Sequence, residues 1–170
     1  MQKCVDYSEA IPRKYPEQVV IAVAKDAEGK HNPITLGWTM LTSGSPAMMA
    51  ISIGFGRHSL EAVRSSREFV IAFPSAAMAE EALFYGTKSG RDMNKLDVFG
   101  AAVEPARKID SVLLADAVAN FECVLTGELT TGDHVLFVGE VVAAHVNTDA
   151  VGRLYTLGPG YEMGAVTPAQ

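Results

Sequence analysis

The sequence predicts a mainly β protein, a closed or nearly closed β-barrel with a few peripheral helices. Its longest apolar stretches, at residues 19–24 and 47–53, have the length of strands, and turn residues separate them from their neighbours. About six short strands are expected, and they need closure because every open sheet edge exposes unpaired backbone groups. The 170 residues fit one domain, with no boundary apparent within 1–170.

Three of these strands are expected in the first third of the chain. Residues 19–24 form a buried strand, 28–33 a turn, and 34–41 a second strand that closes a hairpin with the first. The Ser, Gly and Pro residues at 43–46 end that strand, and 47–53 form the third.

Short helices are expected between the remaining strands. Ser59 is a suitable N-cap for a helix that ends near residue 66, because Leu60 and Val63 follow at helical spacing. The other elements, in order, are a strand at 68–73, a helix from Pro74 and Ser75 to about residue 82, a short helix at 92–99, and two long strands at 120–129 and 134–145 around the turn 130–133. The last strand is apolar and rich in valine, a composition typical of strands.

Composition and charge argue against several classes of function. A net charge of −6 and a pI near 5.2 disfavour nucleic acid as the main partner. No segment resembles a membrane span or a signal peptide, so a cytoplasmic protein is expected. Cys4 and Cys123 lack CxxC spacing and are expected to be reduced, the alternative being one disulfide between them. The four histidines share no metal-ligand spacing, so no metal site is expected.

Two basic segments rich in glycine and serine precede predicted helices, at residues 54–59 (GFGRHS) and 86–92 (GTKSGRD). A helix N-terminus exposes unpaired N–H groups and carries a partial positive charge. Arg and His are therefore unfavourable there unless an anion binds. Two such segments in an acidic chain indicate a small phosphorylated ligand rather than a polyanion.

A phosphate group requires positive charge and hydrogen-bond donors, and the first segment offers both. Arg57, His58 and Ser59 are expected to hold the phosphate, at the start of a helix with free N–H groups. Ser52 and Gly54, at the end of the preceding strand, are expected to line the approach. The alternative is a solvated basic turn in which Ser59 is an ordinary N-cap.

The second segment has the same kind of donors. Positive charge, a hydroxyl and a flexible backbone come from Lys88, Ser89, Gly90, Arg91 and Lys95. The alternative is a capped surface loop, because Asp92 would complement the helix dipole unaided. Arg91 would then pair with Asp92 or Asp97.

Several motifs occur in order along the chain: NPITLGW at 32–38, SP at 45–46, RHS at 57–59, EFV at 68–70, SGRD at 89–92, GDH at 132–134 and FVGEV at 137–141. This set resembles the flavin reductase family, whose fold is an FMN-binding split barrel, and especially its flavoredoxin-like branch. The resemblance extends from about residue 15 to about residue 161. It implies a split β-barrel with a few peripheral helices, and a homodimer with one FMN per subunit bound near the dimer interface.

The resemblance implies that the first motif binds the flavin ring. The ring is flat with a polar edge, and the backbone of four residues is expected to bind that edge: Thr35, Leu36, Gly37 and Trp38. The Thr35 hydroxyl would be a further donor, and Gly37 would allow close approach. Asn32, which opens the motif, is also expected to contact the cofactor. The alternative is a plain barrel strand with Trp38 as core filling.

Other site residues follow from the same resemblance. In the family, the matching serine and lysine lie near the phosphate or the ribityl chain, so Ser89, Gly90 and Lys95 are expected to bind the cofactor. Tyr155 and Tyr161, near the C-terminus, would either cover the flavin pocket or pack on the partner subunit.

His134 is the candidate catalytic residue. It follows a Gly-Asp turn and opens a long strand, so its ring is expected to project toward the flavin, and relatives carry a histidine in the same pattern. There it would orient a nicotinamide or donate a hydrogen bond to reduced flavin. This is a tuning role, because hydride transfer needs no protein base. The alternative is a hairpin histidine bonded to Asp133.

These observations lead to one leading hypothesis and two alternatives. The leading hypothesis is an FMN-dependent oxidoreductase that passes electrons from NAD(P)H through bound FMN to free flavin, iron or a redox partner protein. No GxGxxG or Walker motif is present, so NAD(P)H would bind as a transient substrate. The alternatives are a non-enzymatic FMN-holding electron carrier of the flavoredoxin type, and a ligand-binding dimer whose redox role has been lost.

Overall fold

The computed structural model of the protein describes residues 1–149 and 152–166. Its strands are β1 (Glu17–Gln18), β2 (Val20–Lys25), β3 (His31–Leu36), β4 (Thr39–Gly44), β5 (Ala47–Gly54), β6 (Glu68–Phe73), β7 (Val103–Pro105), β8 (Val112–Leu114), β9 (Ala119–Thr131), β10 (His134–Val146), β11 (Leu154–Gly158) and β12 (Glu162–Ala165). Its α-helices are α1 (Tyr7–Ala10), α2 (His58–Ser66), α3 (Ala79–Thr87) and α4 (Lys95–Phe99), and short 3₁₀ helices occupy Ile11–Lys14 and Ala76–Met78.

Seven strands form one antiparallel sheet in the order β3-β2-β6-β9-β10-β5-β4. Although β3 and β4 lie at opposite ends of that order, only Gly37 and Trp38 separate them in sequence. The three Cα–Cα steps from Leu36 to Thr39 span at most about 11 Å, so the sheet must curl until its two edges are neighbours. The fold is therefore mainly β and a split barrel, as predicted, with its gap between β3 and β4.

A smaller sheet of three strands, in the order β1-β11-β12, was not predicted. The side chain of Gln18 connects it to the large sheet, because its Nε2 donates a hydrogen bond of 2.5 Å to the Thr39 carbonyl. Arg153 in turn donates to Gln18 Oε1 over 3.3 Å. The N-terminal and C-terminal segments are thereby held beside β4, at the gap in the barrel.

The large sheet carries apolar side chains on both faces, which explains the continuous apolar run of β2. Val20 and Ala22 belong to a buried cluster that includes side chains of α2. Ile21 and Val23, which point to the other face, belong to a second buried cluster that includes side chains of α3 and α4. Helices therefore cover the sheet, and strands covered on both faces read as unbroken apolar runs rather than as alternation.

The strands predicted at 47–53, 68–73, 120–129 and 134–145 correspond to β5, β6, β9 and β10. The prediction of a single strand at 34–41 is wrong, because Gly37 and Trp38 divide it. Residues up to Leu36 pair with β2, whereas residues from Thr39 onward pair with β5.

The turn predicted at residues 28–33 lies earlier in the chain, between the end of β2 at Lys25 and the start of β3 at His31. The Asp26 carboxylate accepts hydrogen bonds from the backbone N–H groups of Glu28 and Lys30, which closes the turn early. His31 therefore already belongs to β3.

The helices also differ from the predictions at their ends. Ser59 is not an N-cap, because α2 begins at His58 and the Ser59 hydroxyl accepts a hydrogen bond from Asn32 instead. α3 begins after a 3₁₀ turn and continues to Thr87, beyond the expected end near residue 82, and α4 begins only at Lys95. In the described ranges, no helix is long and apolar enough to cross a membrane.

Candidate functional site

A cleft of about 540 Å³ opens beside the gap between β3 and β4. Its walls come from β3, β5 and β10, from α3, and from the smaller sheet. The residues predicted for the site that line this cleft are Thr35, Leu36, Gly37, Trp38, Ser52, Gly54, Arg57 and His134. The volume lies in the range of pockets for small molecules and cofactors.

A second pocket of about 160 Å³ adjoins the cleft, and the two share Ile34, Arg57, Gly86 and Thr87 in their walls. The predicted residues of both basic segments line it, namely Arg57, His58, Ser59, Ser89, Gly90 and Lys95. We call it the cation pocket, because its wall also includes Lys88 and Arg91. The fold thus joins two segments that are distant in sequence into one site.

Arg91 connects the two basic segments directly. Its Nη1 donates a hydrogen bond of 3.1 Å to the carbonyl of Gly56. Arg91 therefore does not form the alternative ion pair with Asp92 or Asp97. Asp97 instead accepts a hydrogen bond of 2.6 Å from Asn94.

Asn32 lies behind the wall of the cation pocket rather than in it. The residue is buried, and its Nδ2 donates a hydrogen bond of 2.7 Å to Ser59 Oγ. Its Oδ1 faces Gly90 so closely that a Cβ at position 90 would overlap it. Asn32 therefore positions Ser59 and requires glycine at 90, and no sequence signal distinguished this supporting role from direct ligand contact.

The first turn of α2 forms part of the wall of the cation pocket, and the N–H groups at a helix N-terminus have no partner within the helix. Arg57 is the N-cap, and its side chain makes no capping hydrogen bond. His58 is held from behind, with its Nε2 3.2 Å from Asp26 Oδ2. Burial alone would raise the pKa of Asp26, but hydrogen bonds from the Lys30 N–H and from His58 hold it below its ordinary value. The Asp26 carboxylate thereby fixes the position of the His58 ring at the pocket wall.

Lys95 is the most buried cation of the pocket, only 3% exposed. Its Nζ donates to the carbonyls of Tyr85, at 3.2 Å, and Lys88, at 3.4 Å, near the end of α3. Desolvation, with a smaller effect of nearby Arg57, lowers the pKa of Lys95 from 10.5 to about 8. An anion beside Lys95 would stabilise the charged ammonium form that burial destabilises.

The strand break at Gly37 forms part of the cleft wall. Because Gly37 lies outside both β3 and β4, its backbone groups are not used in the ladders of the large sheet. The Thr35 hydroxyl donates a hydrogen bond of 2.6 Å to the Ala82 carbonyl and so connects β3 to α3. It is therefore not available to donate to a ligand.

Trp38 and His134 face each other in the cleft wall. Their ring centroids are 4.6 Å apart, and Trp38 is 50% exposed, so the alternative of Trp38 as core filling is wrong. His134 Nδ1 lies 2.6 Å from Asp133 Oδ1, which is the contact expected for a hairpin histidine. This contact holds the pKa of Asp133 below its ordinary value. The His134 ring also lies beside Gly54, where a Cβ would be 3.4 Å from Nε2.

Several other residues of the cleft wall carry no recognisable signal in the sequence. The N-terminal segment contributes Lys14, Tyr15 and Glu17, and the smaller sheet contributes Thr156 and Met163. These residues belong to short elements without a periodic pattern or a motif. Tyr161 does line the cleft, in agreement with one of the two roles expected for the tail.

The donors of this site suit a ligand that carries a phosphate group at one end and a planar ring at the other. The cation pocket offers Arg57, Lys95 and the first N–H groups of α2, which suit a phosphate group. The cleft offers a flat indole and a glycine backbone, which suit a planar ring with a polar edge. Among the residues that the structure describes, no group of three or more His, Cys, Asp or Glu side chains could hold a metal ion.

Comparison with known proteins agrees with this architecture. The model of the flavin reductase like domain matches residues 12–162, so the chain belongs to that family. An uncharacterized protein of Pyrococcus abyssi is 32% identical over 129 residues, which cover 76% of this chain and 73% of that protein. An uncharacterized protein of Archaeoglobus fulgidus is 32% identical over 113 residues, 66% of this chain; the match spans only 64% of that protein's length.

Solved structures share the whole fold. A flavoredoxin from Methanosarcina acetivorans has a TM-score of 0.87 and 19% identity, over 100% of this chain and 94% of that chain. An FMN-binding protein from Thermus thermophilus has a TM-score of 0.86 and 22% identity over 100% of both chains. An NADH:FAD oxidoreductase from Streptomyces globisporus has a TM-score of 0.82 and 18% identity over 99% of both. At these identities the likeness is one of fold.

Proposed function

We propose that the protein is an FMN-dependent oxidoreductase that passes electrons from NAD(P)H through bound FMN to free flavin, iron or a redox partner protein. One observation carries the proposal. The cation pocket adjoins the cleft at Arg57, so a single ligand with a phosphate and a flat ring can occupy both. Membership of the flavin reductase like family supports a flavin as that ligand, and so does the fold shared with an FMN-binding protein.

The cation pocket would hold the phosphate of FMN. Arg57, Lys95 and the first N–H groups of α2 are the donors, while Asn32 and Asp26 fix Ser59 and His58 from behind. The ring would lie in the cleft with its polar edge along residues 35–38. The Gly37 backbone, which belongs to neither strand ladder of the large sheet, is available to bind that edge.

When bound, FMN supplies the chemistry of hydride and electron transfer. The chain's own part is to hold the ring and to control what reaches it. His134, fixed by Asp133 on one side and packed on Trp38 on the other, presents its ring to the cleft beside Gly54. We assign it a tuning role, in which it donates a hydrogen bond to the ligand or orients a nicotinamide.

A homodimer in the cytoplasm completes the proposal. Edge strand β4 begins directly after Trp38 of the cleft wall and has two largely exposed apolar side chains, Met40 at 50% and Leu41 at 78%. An apolar strand edge of this kind favours pairing with a second chain, here beside the cleft. Cys4 and Cys123 are free thiols, which suits a reducing compartment.

A second candidate function is that of a non-enzymatic electron carrier, which would hold FMN and exchange electrons with partner proteins. The similarity to a flavoredoxin along 100% of this chain favours it. Both candidates use the same FMN site, and they differ in their response to a nicotinamide.

Anaerobic reduction separates the two. FMN-loaded protein is mixed with NADH or NADPH under argon, and the visible flavin absorption is followed. An oxidoreductase loses that absorption within one turnover, whereas a carrier stays oxidised with either nicotinamide. A protein that binds no FMN would contradict both proposals.

A further inference from the structure

An ion pair lies in the cleft wall outside every motif of the sequence. Lys14 Nζ is 2.6 Å from Glu17 Oε2, and the two side chains are 29% and 19% exposed. Both residues line the cleft, so a positive and a negative group stand side by side at a ligand-sized cavity. The nearby Tyr15 ring, 5.5 Å from Lys14 Nζ, adds an aromatic surface.

The backbone fixes the position of Glu17. It pairs with Thr156 of β11, and the next residue, Gln18, donates to the Thr39 carbonyl. Its carboxylate is packed against the strand break: a Cβ at Gly37 would lie 2.9 Å from the carboxyl carbon and 3.0 and 3.1 Å from its oxygens. The glycine therefore admits the carboxylate to the same stretch of backbone along which we place the polar edge of the ring.

We propose that the Lys14–Glu17 pair recognises the imide edge of the flavin ring. This inference rests on the proposed function, since it requires a flavin in the cleft. The imide edge presents C=O, N–H and C=O in a row, and its N–H is the one donor on the oxidised ring. An ammonium can only donate and an ionised carboxylate can only accept, so Lys14 matches a carbonyl and Glu17 matches the N–H.

A purely structural pair is the competing explanation. Lys14 and Glu17 lie at i and i+3 and could simply tie the N-terminal segment to β1. Such a pair would not respond to a change at the imide nitrogen of a ligand. Ligand discrimination therefore separates recognition from a structural role.

The test compares FMN with N3-methyl FMN, in which a methyl group replaces the imide hydrogen. Dissociation constants are measured by flavin fluorescence for the unaltered protein, Glu17→Gln and Glu17→Ala. The unaltered protein should bind the methylated flavin about tenfold to a hundredfold more weakly, as expected for loss of a charge-assisted hydrogen bond. The penalty should be smaller in Glu17→Gln, which keeps a neutral acceptor, and less than about threefold in Glu17→Ala, which keeps none.

A matched control is the Lys30–Glu28 pair, which has the same separation of 2.6 Å but lies outside the cleft wall. Glu28→Ala should keep the full penalty for the methylated flavin.

The reduction potential of bound FMN gives a second readout: it should rise in Glu17→Ala, where a negative charge is lost, and fall in Lys14→Ala. Tight FMN binding with equal penalties in the unaltered protein and Glu17→Ala would overturn the inference and leave the proposed function intact. Failure of every variant to bind FMN would overturn both.

Discussion

The pH dependence of FMN binding should report the charge on Lys95. Without ligand, the pKa of this buried ammonium is about 8. A phosphate dianion beside it would raise that pKa well above 9 in the complex. At pH 7 nearly every free protein molecule carries the charge, whereas at pH 9 about one in eleven does. FMN affinity should therefore fall about tenfold between pH 7 and pH 9.

The assay is a fluorescence titration of flavin-free protein at half-unit steps between pH 7 and 9. In this range FMN keeps its phosphate as a dianion, because the second pKa of a phosphate monoester is about 6. Riboflavin, which has no phosphate, should bind with a constant affinity over the same range. Lys95→Met should bind FMN more weakly at pH 7 and should remove the pH dependence.

The pH dependence of the stability of the flavin-free protein gives an independent check on the direction of the Lys95 pKa shift. The pKa of Lys95 is lower in the folded chain, about 8, than the ordinary value of 10.5. At pH values between these two pKa values, the unfolded chain therefore binds more protons than the folded chain. The free energy of unfolding should rise with pH across that interval. An FMN affinity that is flat from pH 7 to 9, or a fall shared equally by riboflavin, would refute the placement of the phosphate beside Lys95.

Three further variants address the other parts of the site. Replacing Arg57 and Lys95 together with Ala should weaken FMN binding by at least about a hundredfold, since two charge-assisted hydrogen bonds are lost, and an unchanged dissociation constant would remove both from the phosphate site. His134→Ala should slow anaerobic reduction by NAD(P)H more than it weakens FMN binding, and an unaltered single-turnover rate would exclude its tuning role. Gly90→Ala should weaken binding of FMN far more than that of riboflavin, because the new methyl group overlaps a buried amide oxygen behind the cation pocket. Gly44→Ala, with open space around its Cβ, is the control, and equal effects of the two substitutions would contradict this account of Gly90.

Much of the fold could be predicted because the main strands are long apolar runs. β6 and β10 lie where the sequence placed them, since burial on at least one face leaves a strong pattern. The break at Gly37 could not be predicted, because β3 and β4 lie at opposite ends of the strand order and only the curl of the whole sheet makes them neighbours. The strands β1, β11 and β12 were missed, because short strands depend on tertiary contacts such as that of Gln18 rather than on local propensity.

The candidate site could be predicted only in part, for a similar reason. The basic segments at 54–59 and 86–92 have a composition that is unfavourable without an anion, and the fold joins them through Arg91. Chemistry of this kind is visible in a sequence. Glu17 carries no such signal, because its place in the cleft depends on its pairing with β11 and on the absence of a side chain at Gly37.

The central claim is that one FMN occupies the cleft with its phosphate in the cation pocket. The most direct test is a titration of flavin-free protein with FMN and, separately, with riboflavin, followed by visible absorption and fluorescence. We predict one FMN per chain, with a two-band flavin spectrum and an affinity at least about a hundredfold higher than that for riboflavin, because only FMN engages Arg57 and Lys95. A protein that binds neither flavin, or binds both equally well, would contradict the claim.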